Sequence, residues 1–191
     1  MAGLFLIQSP AGAAVVPWLS LEEMTRGAEV IVLGTVDEVE AAWTPDRSMI
    51  VTRVTVAVEK PLKGGPRALV AFEVPGGRVG DTTLVASGAP IFRRGERVLL
   101  FLDRGRGPGE PEEAARARPL GVAGWNLGRM TVRRDPATGR EVVRRGAGGA
   151  LYVGRDGRPV AEPGGEGPVE LGGFLERLKG ILEKAEPGGG R

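Results

Sequence analysis

Short apolar runs separated by glycine- and proline-containing turns recur along most of the chain, and this pattern restricts the fold more than any other feature. In the clearest run, from Met49 to Lys60, alternate positions share one face: Ile50, Thr52, Val54, Val56 and Val58. Alternation with a period of two is typical of a β-strand. The 32 glycines and 15 prolines lie mainly between such runs, as turn residues do. The pattern therefore predicts a mainly β protein of many short strands.

Five further segments are predicted to be strands, residues 29–40, 68–74, 83–86, 97–102 and 120–123. Gly34 lies inside the first of them and predicts a bulge. The nearly continuous apolar run 97–102 indicates a central, buried strand. Pro61 is expected to end the strand that begins at Met49. Residues 104–119 are predicted to form a surface loop, and the lack of helices between the strands excludes a parallel α/β fold.

Two hairpins and two helices complete the predicted domain. One hairpin pairs 130–134 with 141–145 through the turn 135–139, and a smaller one covers 151–160. Ser20 and Glu23 have capping-box spacing, so a short helix is expected over 21–26. A C-terminal amphipathic helix is expected over 171–184. Residues 15–185 thus form one β domain, a small barrel or sandwich, and 186–191 form a frayed tail.

The first fourteen residues carry no charge and combine a short apolar run, Leu4 to Ile7, with the small-residue stretch Ala11 to Ala14. Small residues of this kind precede signal-peptidase cleavage sites. We therefore predict that 1–14 is the remnant of a signal peptide and that the protein is extracytoplasmic, either periplasmic or secreted. The alternative is an ordinary N-terminal strand or tail on a cytoplasmic protein. The sequence has no stretch of the ~18 apolar residues that a transmembrane segment requires.

The chain has no cysteine and no histidine. This excludes thiol nucleophiles, histidine bases, catalytic triads that use histidine and zinc sites of the Cys/His type. We therefore predict a protein that is not an enzyme and that has no cofactor and no bound metal. A hydrolase that uses Glu38 and Glu40 is the remaining catalytic alternative. Along a strand, however, Asp37 points away from those two carboxylates, so the three do not converge.

Three phrases of the sequence carry a resemblance to known proteins: IVTRVTVAVEKPLKG, PGGRVG and FRRGERVLLFL. They resemble the OB-like barrel of the netrin and tissue-inhibitor-of-metalloproteinase type, and more closely a group of bacterial secreted proteins that share these phrases. RMTVRRDPATGREVVRR and FLERLKGIL fit the same pattern, so the resemblance covers Leu19 to Leu182. It implies an OB-like barrel, closed or partly open, with added hairpins. The inhibitors bind protease zinc through an N-terminal cysteine that this chain lacks, so no functional residue is carried over.

Arginine-rich residues 129–145 contain the main candidate binding residues. The segment has six arginines against Asp135 and Glu141, in a chain whose formal net charge is only +2. The candidates are Arg129, Arg133, Arg134, Arg140, Arg144 and Arg145. On two paired strands they can form a positive stripe, or they can serve only to protect a sheet edge from strand addition. Trp43, beside the turn 44–48, is a further candidate for contact with a partner.

We predict a non-catalytic, extracytoplasmic binding or inhibitor-like module whose partner is another protein. The alternative is a single-stranded nucleic-acid-binding protein that uses the arginine-rich hairpin 129–145. OB-like barrels that bind single strands combine a positive groove with aromatic platforms. The hairpin has no aromatic residue, and only Trp125 lies nearby in the sequence. The ligand and the oligomeric state do not follow from the sequence.

Overall fold

The computed structural model describes residues 15–105, 109–146, 151–154, 156–160 and 167–185. The elements in these ranges are β1 (Val15–Pro17), α1 (Leu21–Gly27), β2 (Val30–Trp43), β3 (Ile50–Lys63), β4 (Leu69–Pro75), β5 (Gly77–Val79), β6 (Thr82–Leu84), β7 (Arg97–Asp103), α2 (Glu112–Arg116), β8 (Gly121–Val122), β9 (Arg129–Arg134), β10 (Glu141–Arg145), β11 (Leu151–Val153), β12 (Val169–Glu170) and α3 (Leu171–Ala185). The prediction of a mainly β protein with an N-terminal and a C-terminal helix is confirmed. The predicted signal remnant 1–14 and tail 186–191 lie outside the described residues.

One large antiparallel sheet organises the molecule. Its strand order is β12-β10-β9-β7-β2-β3-β4, and β8 also pairs with β7. β1 and β11 form a separate parallel pair, and β5 and β6 form a separate hairpin. Among the described residues the strands do not close into a barrel by continuous pairing. No helix in these ranges combines the length and apolar character needed to cross a membrane.

The central strands are buried on both faces. On β2, Val30 and Val32 face one core, whereas Ile31 and Leu33 face the other. On β7, the apolar run from Val98 to Leu102 is divided in the same way and is fully buried. This explains why residues 97–102 are apolar without alternation, and it confirms their prediction as a central strand. The first core lies under α1 and α3, and the second lies within the curl of β2, β3, β4 and β7.

The pairing of β2 with β3 confirms one prediction and corrects another. The register shifts between Leu33 and Gly34, so the expected bulge is present. A Cβ atom at Gly34 would lie 2.3 Å from the carbonyl oxygen of Ala57, so the strands approach too closely there for a side chain. Pro61 does not end β3, which continues to Lys63. β4 pairs only with residues 51–57, so Pro61 lies where β3 has a single neighbour and its missing N–H is tolerated.

Both predicted helices form, and a third was not expected. α1 begins with the predicted capping box, in which Ser20 Oγ accepts from Glu23 N at 3.2 Å and Ser20 N donates to Glu23 Oε2 at 2.9 Å. α3 packs its apolar face on the first core, with Leu171 and Leu178 buried. The predicted loop 104–119 contains the short helix α2, which buries Ala115. Five residues are too few to give a readable helical period.

Candidate anion-binding groove

The predicted hairpin forms from β9 and β10, and in its register Val132 pairs with Val143 and Thr131 with Arg144. Paired residues share a face of the sheet, and alternation then assigns every other residue. One face carries the buried side chains Met130, Val132 and Val143, which belong to the first core beneath α3. The opposite face carries Arg129, Thr131, Arg133, Val142 and Arg144. We call this opposite face the outer face of the hairpin.

The outer face of the hairpin continues a surface that is buried elsewhere in the sheet. Arg129 pairs with Leu100 and Thr131 with Val98 of β7, and both β7 side chains lie in the second core. The curl formed by β2, β3, β4 and β7 covers that core, but the sheet runs on past the curl into β9 and β10. On this face of the sheet, Val98 and Leu100 of β7 are buried in the second core, whereas their neighbours on β9 are Thr131 and Arg129.

A concave surface of about 640 Å³ lies against this outer face. β9 and β10 form its floor, the segment before β7 forms one wall, and Pro168 before β12 forms part of the other. We call it the arginine groove, lined by Arg93, Glu96, Arg129, Thr131, Arg133, Arg134, Asp135, Pro136, Val142, Arg144, Arg145, Gly146 and Pro168. Six arginines and two acidic residues line it, so its formal charge is +4.

Arg129 is the buried anchor of the arginine groove. Its guanidinium forms an ion pair with Glu96, and the two side chains are only 14% and 17% exposed. The guanidinium also lies 5.2 Å above the centre of the Phe92 ring, within the range of a cation–π interaction. Its Nε is buried and has no hydrogen-bond partner among the described residues. Arg129 thus connects the floor of the groove to the wall that contains Glu96.

Arg93, Arg133 and Arg144 are the exposed cations of the arginine groove. Within the described ranges, none of their guanidinium groups forms an ion pair. An arginine presents five N–H donors in a planar fork that matches a carboxylate or a phosphate. The arrangement is therefore suited to binding an anionic group.

The other three candidate arginines have different positions. Arg140 lies in the turn and pairs with Glu170 at 2.9 Å, which joins the hairpin to β12. The guanidinium of Arg145 lies 5.1 Å from the centre of the Trp18 ring, so this arginine packs against the first core. By alternation Arg134 and Arg145 belong to the face beneath α3, and they border the groove at its opposite ends. The predicted stripe of six arginines is thus divided between two faces and a turn.

Asp135, one of the two acidic residues in the groove, is engaged in the hairpin turn. Its carboxylate accepts from Ala137 N at 2.8 Å and from Thr138 Oγ1 at 3.1 Å. These bonds hold the pKa of Asp135 below its usual range, the Ala137 amide most of all. The carboxylate therefore stays ionised and oriented towards the turn, as the sequence analysis expects of a turn residue.

Trp43 does not join this site. It is the last residue of β2, 39% exposed, and pairs with Ile50. β2 pairs with β7 only as far as Thr35, and Trp43 lies eight residues further along β2, beyond the part of the strand that β7 covers. The same end of β2 carries three exposed acidic residues, Asp37, Glu38 and Glu40. Asp37 lies at a bulge of the strand and forms an ion pair with Arg94 at 3.8 Å.

Arg93 and Glu96 also belong to this surface, although their sequence pattern did not predict it. Both lie in FRRGERVLLFL, which was interpreted only as a sign of the fold. Arg93 is 36 positions from Arg129, and only the pairing of β7 with β9 brings the two together. In the described residues, no three Asp or Glu side chains cluster in a way that would hold a metal ion. Comparison of the chain with protein-family models, with curated proteins and with solved structures found no match.

Proposed function

We propose that the protein is a non-catalytic binding module that recognises an acidic segment of a partner protein in the arginine groove. The observation that carries this proposal is the placement of three unpaired, exposed arginines, Arg93, Arg133 and Arg144, along one concave surface. A run of carboxylates would neutralise them at little cost, because the three guanidinium groups have no intramolecular ion pair to break among the described residues.

Edge protection, the alternative explanation for these arginines, does not account for all of them. Arg129 is bonded on both sides, because it pairs with Leu100 of β7 and its carbonyl accepts from Gly146 N at 3.1 Å. β7 pairs only with residues 129–131, so Arg133 has β10 as its single neighbour. The outer strand β10 is itself covered at Val142 and Val143 by pairing with β12. A charge that blocks strand addition belongs on an unpaired edge. Arg129 and the loop residue Arg93 therefore support a binding role, whereas Arg133 and Arg144, each beside a single strand, are positioned for either role.

The lining of the groove favours a protein partner over single-stranded nucleic acid. None of the described lining residues is aromatic, so the groove offers no ring on which a base could stack. The nearest rings are already occupied, Phe92 by Arg129 and Trp18 by Arg145. A nucleic-acid strand would bind here through its phosphates alone. It remains the second candidate because the exposed guanidinium groups also suit phosphates.

Two structural and cellular features belong to the same proposal. The first is a partly open, OB-like barrel of the type that the sequence resembles. It is supported by β8, which pairs with β7, and by Leu120, whose carbonyl accepts from Glu73 N of β4 at 2.8 Å. The second is an extracytoplasmic location, supported by the uncharged, small-residue pattern of residues 1–14. The inhibitor-like role is an extension of that resemblance.

The test is fluorescence anisotropy with the full chain and two labelled probes, a hexaglutamate peptide and an oligothymidylate of twelve nucleotides. We expect the peptide to bind with an affinity that falls as salt is raised, because screening weakens exposed charge pairs. Arg133→Glu combined with Arg144→Glu should weaken binding at least tenfold. Lys179→Glu combined with Lys184→Glu, an equal charge change at exposed positions of α3, should have little effect. Tighter binding of the oligonucleotide would favour the second candidate, and binding of neither probe would refute the proposal.

A further inference from the structure

A second concave surface lies beside the arginine groove and is apolar. Its volume is about 350 Å³. We call it the apolar cleft, lined by Val39, Thr52, Val74, Pro75, Gly76, Gly77, Arg78, Leu84, Val85, Ala86, Ala89, Pro90, Ile91 and Phe92. Val85 and Ile91 are 85% and 75% exposed, the most exposed of the large apolar side chains in the described residues. No acidic residue is among the described lining residues.

The walls of the apolar cleft are fixed to the sheet. Thr52 Oγ1 of β3 donates to the carbonyl of Gly76 at 2.6 Å. A Cβ atom at Gly77 would lie 2.7 Å from Thr52 Oγ1, so β5 approaches the sheet as closely as a glycine permits. The following loop is held by Trp125, whose Nε1 donates to Ser87 O at 3.0 Å. Val85 and Ile91 are therefore presented on a positioned surface rather than on an unattached loop.

The apolar cleft and the arginine groove share a wall. Ile91 lines the cleft and Arg93 lines the groove, and both are exposed, whereas Phe92 between them is buried. Ile91 and Arg93 are two positions apart in the sequence, so their Cα atoms are at most about 7 Å apart. The Phe92 ring packs edge-on against Phe72 at 5.1 Å and supports the guanidinium of Arg129 at 5.2 Å. The buried Phe92 ring thus lines the apolar cleft and also contacts Arg129 of the arginine groove.

We infer that the two surfaces form one composite site for an extended segment of a partner protein in which apolar side chains stand next to a run of acidic residues. This inference rests on the proposed function. The exposed apolar side chains and the lack of acidic lining favour an apolar anchor in the cleft, and the arginines beside it favour carboxylates on the adjoining residues. Neither surface alone specifies such a segment, because acidic runs and apolar side chains are each common.

The test compares labelled peptides on the full chain by fluorescence anisotropy. One probe is hexaglutamate, and the other joins Leu-Leu-Phe to hexaglutamate through two glycines, made in both orders. We expect one order to bind about tenfold tighter than hexaglutamate, which corresponds to burial of about one apolar side chain. Ile91→Ser and Val85→Ser should abolish that gain and leave hexaglutamate binding unchanged. Leu69→Ser, at an exposed apolar residue on β4, is the matched control and should change neither.

The outcomes separate this inference from the proposed function. If hexaglutamate binds but neither order of Leu-Leu-Phe adds affinity, the composite site is refuted and the arginine groove stands. If the gain survives both Ile91→Ser and Val85→Ser, the anchor lies elsewhere and the inference is likewise refuted. Analytical ultracentrifugation of the wild-type chain and of Ile91→Ser measures self-association. Self-association that Ile91→Ser abolishes would make a second copy of the chain the occupant of the cleft, which overturns the inference.

Discussion

The ion pair between Arg129 and Glu96 should contribute substantially to stability, because it is the one ion pair in the described residues with both side chains less than one-fifth exposed, at 14% and 17%. Breaking a fully buried pair by removing one partner costs about 3 to 5 kcal/mol, since the other charge is left uncompensated. The residual exposure and the remaining Phe92 contact of Arg129 reduce this cost. For Glu96→Gln we therefore expect a loss of about 2 to 3 kcal/mol in the free energy of unfolding.

The measurement is a double-mutant cycle of Glu96→Gln and Arg129→Met by chemical and thermal unfolding. For a chain of this length, the loss for Glu96→Gln corresponds to a fall in Tm of about 5 to 10 °C. The coupling energy of the cycle should be about 1.5 to 3 kcal/mol, the value of a hydrogen bond between charged groups. The double variant should recover part of the loss, because it leaves no unpaired charge in the groove wall.

The control cycle uses Lys179 and Glu183 on α3, which are 3.9 Å apart and both 67% exposed. Its coupling energy should be about 0.3 to 0.5 kcal/mol, as for other exposed helical pairs. A coupling energy for Arg129 and Glu96 no larger than that of the control pair would refute the argument. It would mean that solvent screens the groove wall as fully as it screens an exposed helix surface.

Two further predictions, which use three variants, test the fold. Gly34→Ala should lower the free energy of unfolding by about 3 kcal/mol or more, because its Cβ would meet the backbone oxygen of Ala57. Gly173→Ala in α3 is the control, since its Cβ meets open space, and it should raise the free energy of unfolding by up to about 1 kcal/mol. Equal effects of the two substitutions in chemical unfolding would contradict this prediction. Burial raises the pKa of Asp103 above its usual 3.8, so the folded state loses stability as pH rises through that raised value. Asp103→Asn should therefore gain Tm relative to wild type between about pH 3 and pH 7, and a constant difference would contradict this.

The features that could be predicted from the sequence are those determined by neighbouring residues. The alternation in 49–60 gives the buried face of β3, and the capping box of Ser20 and Glu23 gives the start of α1. The turn chemistry of 135–139 gives the turn and the two arms of the main hairpin. In each case the relevant contacts lie within one strand, one helical turn or one hairpin, where side-chain period and backbone preference act directly.

The features that could not be predicted depend on strand order. Pro61 is tolerated because β4 leaves part of β3 uncovered, and a sequence does not state where a neighbouring strand stops. Alternation along the strands divides the arginines between two faces, whereas the pairing of β9 with β7, which places Arg129 opposite Leu100, determines which face continues the second core. The contribution of Arg93 to the groove follows from the same pairing, whereas the position of Trp43 outside the groove follows from the pairing of β2 with β7.

The most direct test of the arginine groove is a titration of the ¹⁵N-labelled full chain with hexaglutamate, followed by heteronuclear NMR. We predict saturable amide shifts along the outer face of the hairpin, at Thr131, Arg133, Val142 and Arg144, together with Arg93 on the adjoining wall. The amides of α3, on the opposite face of the sheet, should not move. Shifts distributed over all exposed arginines alike, or no shifts at millimolar peptide, would contradict the proposal that this groove is where the protein binds an acidic partner.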